Sequence, residues 1–225
     1  MIPWEFIDSA RVPGTGGKLF LYRRGAEFSI RLDQGELMNS RVHGSEDALA
    51  ELACARIADR PGPCLLIGGL GMGYTLAAAL RRIGNGAKVV VAELVPAVVE
   101  WNRGPLAHLA GHPLEDVRVN VRTVDVVQLI RDERRAYDAI LLDVDNGPEG
   151  LTCQGNDRLY SRSGLDAAFA ALRPGGVLAV WSAGPDRAFM RRVRQANFEV
   201  EEVQVHARGL RGGARYTIWI AVRGR

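Results

Sequence analysis

The chain has 225 residues, 47% of them hydrophobic and 24% charged, with a formal net charge of +3. That is enough chain for one full core, and the composition is that of an ordinary globular protein rather than a disordered, fibrous or membrane-spanning one. The arginines are scattered in pairs such as Arg81-Arg82 and Arg191-Arg192 instead of forming a basic block, which argues against a nucleic-acid surface, and Cys54, Cys64 and Cys153 are too far apart for a CxxC metal or redox motif.

Residues 1–60 read as a small N-terminal β unit with a leading helix. Trp4, Glu5 and Asp8 interrupt any apolar start, so no secretory leader is expected and a reducing cytoplasm is the expected location. Lys18–Arg23 and Glu27–Asp33 are short β-like pieces around Gly25, and Asp33-Gln34-Gly35 forms a further turn. Ser45-Glu46-Asp47 then opens an apolar helix, with Ser45 placed as its N-cap. His43, just before that cap, is a candidate proton acceptor or simply a surface or capping residue.

From Pro61-Gly62-Pro63 onward, residues 61–225 read as one sheet domain. Strand-like runs at 64–69, 87–94, 117–124, 137–144 and 176–183 alternate with helix-like runs at 73–83, 96–110, 126–134, 164–172 and 185–196. Four of the strands are nearly continuous Val, Ile and Leu, the pattern of a parallel sheet covered on both faces. The spacing predicts an α/β doubly wound, Rossmann-like sheet. The last two strands, 198–205 and 214–222, are joined by a link too short for a crossover helix, so they should form a terminal antiparallel hairpin.

The first strand runs into Gly68-Gly69-Leu70-Gly71-Met72-Gly73 and then a helix, where a tight turn lets a ligand sit against a helix N-terminus. Glu93 ends the next strand, where a carboxylate can accept both ribose hydroxyls of an adenosine. Asp125 ends the third, placed to accept from an adenine amine; each acid could alternatively be a helix N-cap or a surface charge. Together, on the carboxyl-end side of one sheet, they predict a nucleoside site. Trp101 and Trp181 read as packing residues, and Asn102-Arg103-Gly104 as a helix stop. Residues 146–163 follow the fourth strand as a long, polar, glycine-punctuated segment, a candidate lid or acceptor loop.

Four segments, L-L-I-G-G-L-G-M-G, V-V-V-A-E-L-V-P, Y-D-A-I-L-L-D-V-D-N-G-P and R-L-Y-S-R-S-G-L…L-R-P-G-G-V-L-A-V-W, resemble the spermidine/spermine synthase family of the class I S-adenosylmethionine-dependent methyltransferase fold, in order and spacing. The resemblance spans residues 18 to 185. It implies that Gly69, Gly71 and Gly73 line a sulfonium nucleoside, that Glu93 holds its ribose and that Asp125 holds its adenine. The nucleoside would be S-adenosylmethionine, its decarboxylated form or the product methylthioadenosine. It also implies a catalytic role for Asp143, flanked by Asp145, and an aromatic residue near an amine channel at Tyr160. Pairing of the N-terminal unit into a homodimer is implied as well.

The chain departs from that family at two acidic positions. Gly71 stands where the family's glycine loop carries an aspartate, and Asp145-Asn146 replaces the second aspartate of D-x-x-D-P. Both departures remove negative charge from an amine pocket, and the family's Y-H-E pattern before the sheet domain is replaced by Val42-His43-Gly44-Ser45-Glu46. These losses lean the sequence reading to methyl transfer from S-adenosylmethionine to a small acceptor. The alternatives are aminopropyl transfer from decarboxylated S-adenosylmethionine to a diamine, and a non-catalytic nucleoside-binding module. No metal is expected.

Overall fold

The computed structural model describes every residue except Met1, Thr15, Gln34, residues 145–156, residues 209–211 and Arg225; of Asp157 only the backbone is described. Two sheets make up the fold. The first is an antiparallel meander of β1 (Glu5–Arg11), β2 (Lys18–Arg24), β3 (Glu27–Leu32) and β4 (Gly35–Asn39), paired in chain order. Sequence reading found β2 and β3 but not the outer two. Most of β1 faces solvent, with Phe6 55% exposed, so no apolar alternation marks it, and β4 carries only Leu37 and Met38 as apolar residues.

The second sheet has seven strands in the order β10-β11-β9-β8-β5-β6-β7. Parallel ladders join β7 (Val119–Thr123), β6 (Lys88–Glu93), β5 (Cys64–Gly68), β8 (Tyr137–Leu142) and β9 (Leu172–Ser182). The expected terminal hairpin is there: β10 (Phe198–His206) pairs antiparallel with β11 (Arg215–Arg223), and β11 inserts between β10 and β9.

Strand alternation divides the core into two layers. Leu65, Ile67, Val89, Val91, Ala139 and Leu141 point to one face, which packs on α1 (Gly44–Ala55), α2 (Tyr74–Arg82), α3 (Pro96–Arg103) and the N-terminal sheet. Leu66, Ile140, Leu142, Leu178 and Trp219 point to the other, against α4 (Val126–Asp132), α6 (Arg162–Ala171) and α7 (Arg187–Gln195), with the short α5 (Asp157–Tyr160) preceding α6. Every residue of β8 is buried, as its continuous apolar run requires. At its amino end the buried Asp138 takes Arg60 at 2.5 Å, Arg173 at 2.7 Å and the Cys64 amide at 2.8 Å, which ties the Pro61–Pro63 entry to the sheet.

Two local expectations are corrected. The N-cap of α1 is His43, and Ser45 lies inside the first turn with its hydroxyl donating to Glu46 at 2.6 Å. The helix-like run 96–110 is not continuous: the helix ends at Arg103 with Gly104 as its cap, as the Asn102-Arg103-Gly104 stop implied, and Ala107–Ala110 is a separate 3-10 turn, because Pro105 has no amide to continue the ladder.

Candidate functional site

The strand order reverses between β5 and β8, and a doubly wound sheet opens a crevice at the carboxyl ends of such a pair. Gly68 pairs with Leu142 across that seam, and the Asp143 amide donates to the Gly68 carbonyl at 2.9 Å. Gly69 turns with φ +87°, and a side chain there would meet the Asp143 carbonyl oxygen at 2.4 Å. Glycine is required at this position by the close approach of two strand ends. At Gly73, φ +82°, the chain enters α2 as its N-cap.

A cavity of about 580 Å³ lies over this seam. Its floor is Gly69, Gly71, Glu93, Asp125 and Asp143; its apolar wall comes from Leu19, Ile30, Leu32, Leu37, Met38 and Val98; Ser45 and Glu46 of α1, Trp181 and Tyr216 close another side. Of the predicted cofactor residues, Gly69, Gly71, Glu93 and Asp125 therefore line one space, while Gly73 lies behind the loop, its Cα facing Asn102 and Pro113.

Glu93 is buried at the end of β6, and its two oxygens accept from the Leu70 amide at 2.9 Å and the Val95 amide at 2.8 Å. The carboxylate thus shapes the glycine loop that it faces. Asp125 caps α4 through the Val127 amide at 2.9 Å, one of its readings, and it also lines the cavity. Asn102 was read only as part of a helix stop; its amide also donates to the Gly71 carbonyl at 2.8 Å and fixes the loop from behind.

Asp143 sits at the carboxyl end of β8 and accepts the Thr75 hydroxyl of α2 at 2.5 Å. Burial raises its pKa, a shift that the Thr75 hydroxyl opposes. Glu46 is pushed up to about 7, first by burial and then by the charge of Asp143. The two carboxyls thus lie in one cavity, and burial disfavours the charged form of both. Sequence reading left Glu46 in the helix's first turn with no role, because its partner lies 97 positions away (143 − 46) and only the packing of α1 on the sheet brings them together.

Other candidates are placed differently. His43 stacks on Tyr74, ring centroids 4.2 Å apart, and bonds Asp47 at 2.7 Å; it is not among the described residues lining the cavity. Tyr160 is buried edge-to-face against Phe189 at 5.6 Å with its hydroxyl 3.5 Å from the Val144 carbonyl, and it too lies off the described lining. Asp145 and residues 146–156 of the candidate lid fall outside the described residues. Trp101 packs as expected and donates to Asp8 at 2.7 Å. Trp181 packs against the core as expected and also lines the cavity with Tyr216, ring centroids 4.9 Å apart. No helix among the described residues is long and apolar enough to cross a membrane.

Comparisons with known proteins agree with this geometry. A polyamine aminopropyltransferase 1 from Streptomyces coelicolor is 32% identical over 127 residues, 56% of this chain; the chain spans only 23% of that relative's length. Among solved structures, a spermidine synthase from Thermotoga maritima superposes with a TM-score of 0.76 at 17% identity, covering 97% of this chain and 73% of that one. A spermidine synthase in complex with the transition-state analogue AdoDATO gives 0.76 at 17% identity, covering 97% of this chain and 72% of that one. A probable spermidine synthase from Corynebacterium glutamicum gives 0.65 at 14%, covering 97% and 79%. At such identities the superpositions show the fold. The spermine/spermidine synthase domain matches residues 47–203, more than half of the sequence, and the chain belongs to that family.

Proposed function

We propose that this chain is an aminopropyltransferase, moving the three-carbon amine of decarboxylated S-adenosylmethionine to an amine acceptor. One observation carries the reading. Among the described residues lining the cavity are Glu36, Glu46, Glu93, Asp125 and Asp143, and none is Lys, Arg or His. The protein as a whole is cationic, with a formal charge of +3, so this is a local concentration of acid. Decarboxylated S-adenosylmethionine offers a sulfonium and an ammonium, and the acceptor brings a further ammonium; all are cations matched by this lining. The carboxylate of S-adenosylmethionine would meet like charge there, at about 4 kcal/mol per 4 Å pair at an effective dielectric near 20.

The residues fit such a donor. The Gly69–Gly71 turn gives its backbone close approach, Glu93 would accept the ribose hydroxyls and Asp125 the adenine amine. When bound, the donor supplies an electrophilic methylene beside a positive sulfur. The acceptor nitrogen's lone pair forms the new N–C bond while the C–S pair returns to sulfur, leaving methylthioadenosine and a secondary ammonium that sheds one proton. Asp143 orients the acceptor, favours the developing ammonium charge and takes the proton. Orientation of the two reactants can supply about 7–11 kcal/mol of the barrier.

The sequence leaned to methyl transfer because Gly71 and Asn146 lack the family's acids. Glu36 from β4 and Glu46 from α1 supply acid to the same cavity from elements that motif reading does not reach. The name of the Streptomyces coelicolor relative supports the aminopropyl reading too. Calorimetric titration with both nucleosides tests it: the decarboxylated form should bind at least about tenfold tighter, the equivalent of about 1.4 kcal/mol. Equal or tighter binding of S-adenosylmethionine would return the assignment to methyl transfer.

A further inference from the structure

The residue that the family motifs leave without a role is Glu46. It lies in the first turn of α1 and lines the same cavity as Asp143, Trp181 and Tyr216; the charge of Asp143 acts on it, and its own acts on Tyr216. Ser45, next to it, holds one of its oxygens at 2.6 Å. No arginine, lysine or histidine is bonded to it among the described residues, unlike Asp47 one position on, which is taken by His43 at 2.7 Å and Arg81 at 2.9 Å. An acid in a cavity that two aromatic side chains also line suits an alkylammonium group, which gains a charge-assisted hydrogen bond to the acid and favourable contact from aromatic rings.

Resting on the aminopropyl reading above, we infer that Glu46 is the acceptor-binding carboxylate of this chain, pairing with Asp143 to seat the acceptor's amine end in place of the acid that the glycine loop lacks at Gly71. That amine arrives as an ammonium and gives up one proton to the pair before its lone pair attacks. The class of acceptor follows. It is a primary alkylamine or diamine without a carboxylate, because an amino acid's own carboxylate would be repelled by both members of the pair. Burial and the Asp143 charge push the Glu46 pKa up to about 7, and an ammonium beside it favours the ionised form. The other charged or titratable groups acting on Glu46 are His43 on its own helix, Tyr74 of α2 and Tyr216 of β11.

The test is binding, so it does not depend on turnover. 1,4-Diaminobutane is titrated calorimetrically into protein saturated with methylthioadenosine, using the wild type, Glu46→Gln and Glu36→Gln. Glutamine keeps the size of Glu46 and an oxygen for Ser45, and melting curves check that each variant folds. Glu46→Gln is expected to weaken diamine binding by about tenfold or more, the loss of one hydrogen bond to a charged group, with methylthioadenosine affinity unchanged. Glu36→Gln should weaken it far less, since Glu36 is already held by Ser29 and Asn39, each at 2.7 Å. Diamine binding that is unchanged in Glu46→Gln, equally weakened in both variants, or absent from the wild type overturns the assignment. Failure of the wild type to transfer an aminopropyl group despite binding diamine through Glu46 would instead refute the reaction and leave this contact standing.

Discussion

Asp143→Asn is expected to lower the rate of aminopropyl transfer by about 10²- to 10⁴-fold, the range over which a positioned acid or base acts, while leaving methylthioadenosine affinity nearly unchanged. Asparagine keeps the shape of the side chain and an oxygen for the Thr75 hydroxyl, which now sits 2.5 Å from the carboxylate. What it removes is the charge that favours the forming ammonium and the site that takes its proton. The same substitution should not destabilise the protein. Burial raises the Asp143 pKa, so in the folded state the ionised form is disfavoured and its charge costs stability at any pH above the ordinary carboxylate value. An uncharged isostere relieves that cost, and the melting temperature at neutral pH should hold or rise. Such an exchange of stability for function is common where a strained or desolvated group does the chemistry. Loss of activity together with a marked fall in melting temperature would point instead to a structural role for Asp143.

Glu93→Gln should have the opposite profile, losing both stability and nucleoside binding. The two oxygens of Glu93 receive the Leu70 and Val95 amides, and glutamine can accept only one of them; its NH₂ faces the other donor. A buried N–H left in that state costs about 1–3 kcal/mol, and the glycine loop it holds moves. Nucleoside affinity should fall by about tenfold to a hundredfold, since a hydrogen bond to a charged group is also lost. Paired melting and calorimetric measurements check both effects. Asp125→Asn provides the contrast, because asparagine caps a helix as well as aspartate does, so only its nucleoside affinity should change.

Most of the sheet could be read from the sequence because four of its strands are nearly continuous apolar runs, and Glu93 and Asp125 could be read because each ends a strand. Glu46 could not. Its pattern, S-E-D before an apolar helix, has the local meaning of a helix start, and that local meaning is also true: Glu46 and Asp47 lie in the first turn of α1. Its place beside Asp143 is set by how α1 packs on the sheet, which no periodicity encodes. Trp181 shows the same limit at the end of β9, where the strand pattern gives burial but not the open cavity beyond it. The glycine run carried two signals at once. Gly69 is required by a neighbouring carbonyl, and Gly71 is favoured by its left-handed φ of +53°. A ligand is not needed to explain either, and the cavity rather than the glycines supports the nucleoside site. Asp143 was legible from family order, whereas the acid complement of the pocket was misjudged because two motif positions stood in for a surface whose acids come from β4, α1, β6, the cap of α4 and the end of β8.

The most direct measurement is a single-turnover incubation of the protein with decarboxylated S-adenosylmethionine and 1,4-diaminobutane, and in parallel with S-adenosylmethionine and the same amine, with products resolved by mass. Methylthioadenosine and the aminopropylated diamine, formed together in the first reaction only, are the result predicted by a cavity lined with acid. A methylated acceptor with S-adenosylhomocysteine in the second reaction, and nothing in the first, would contradict it.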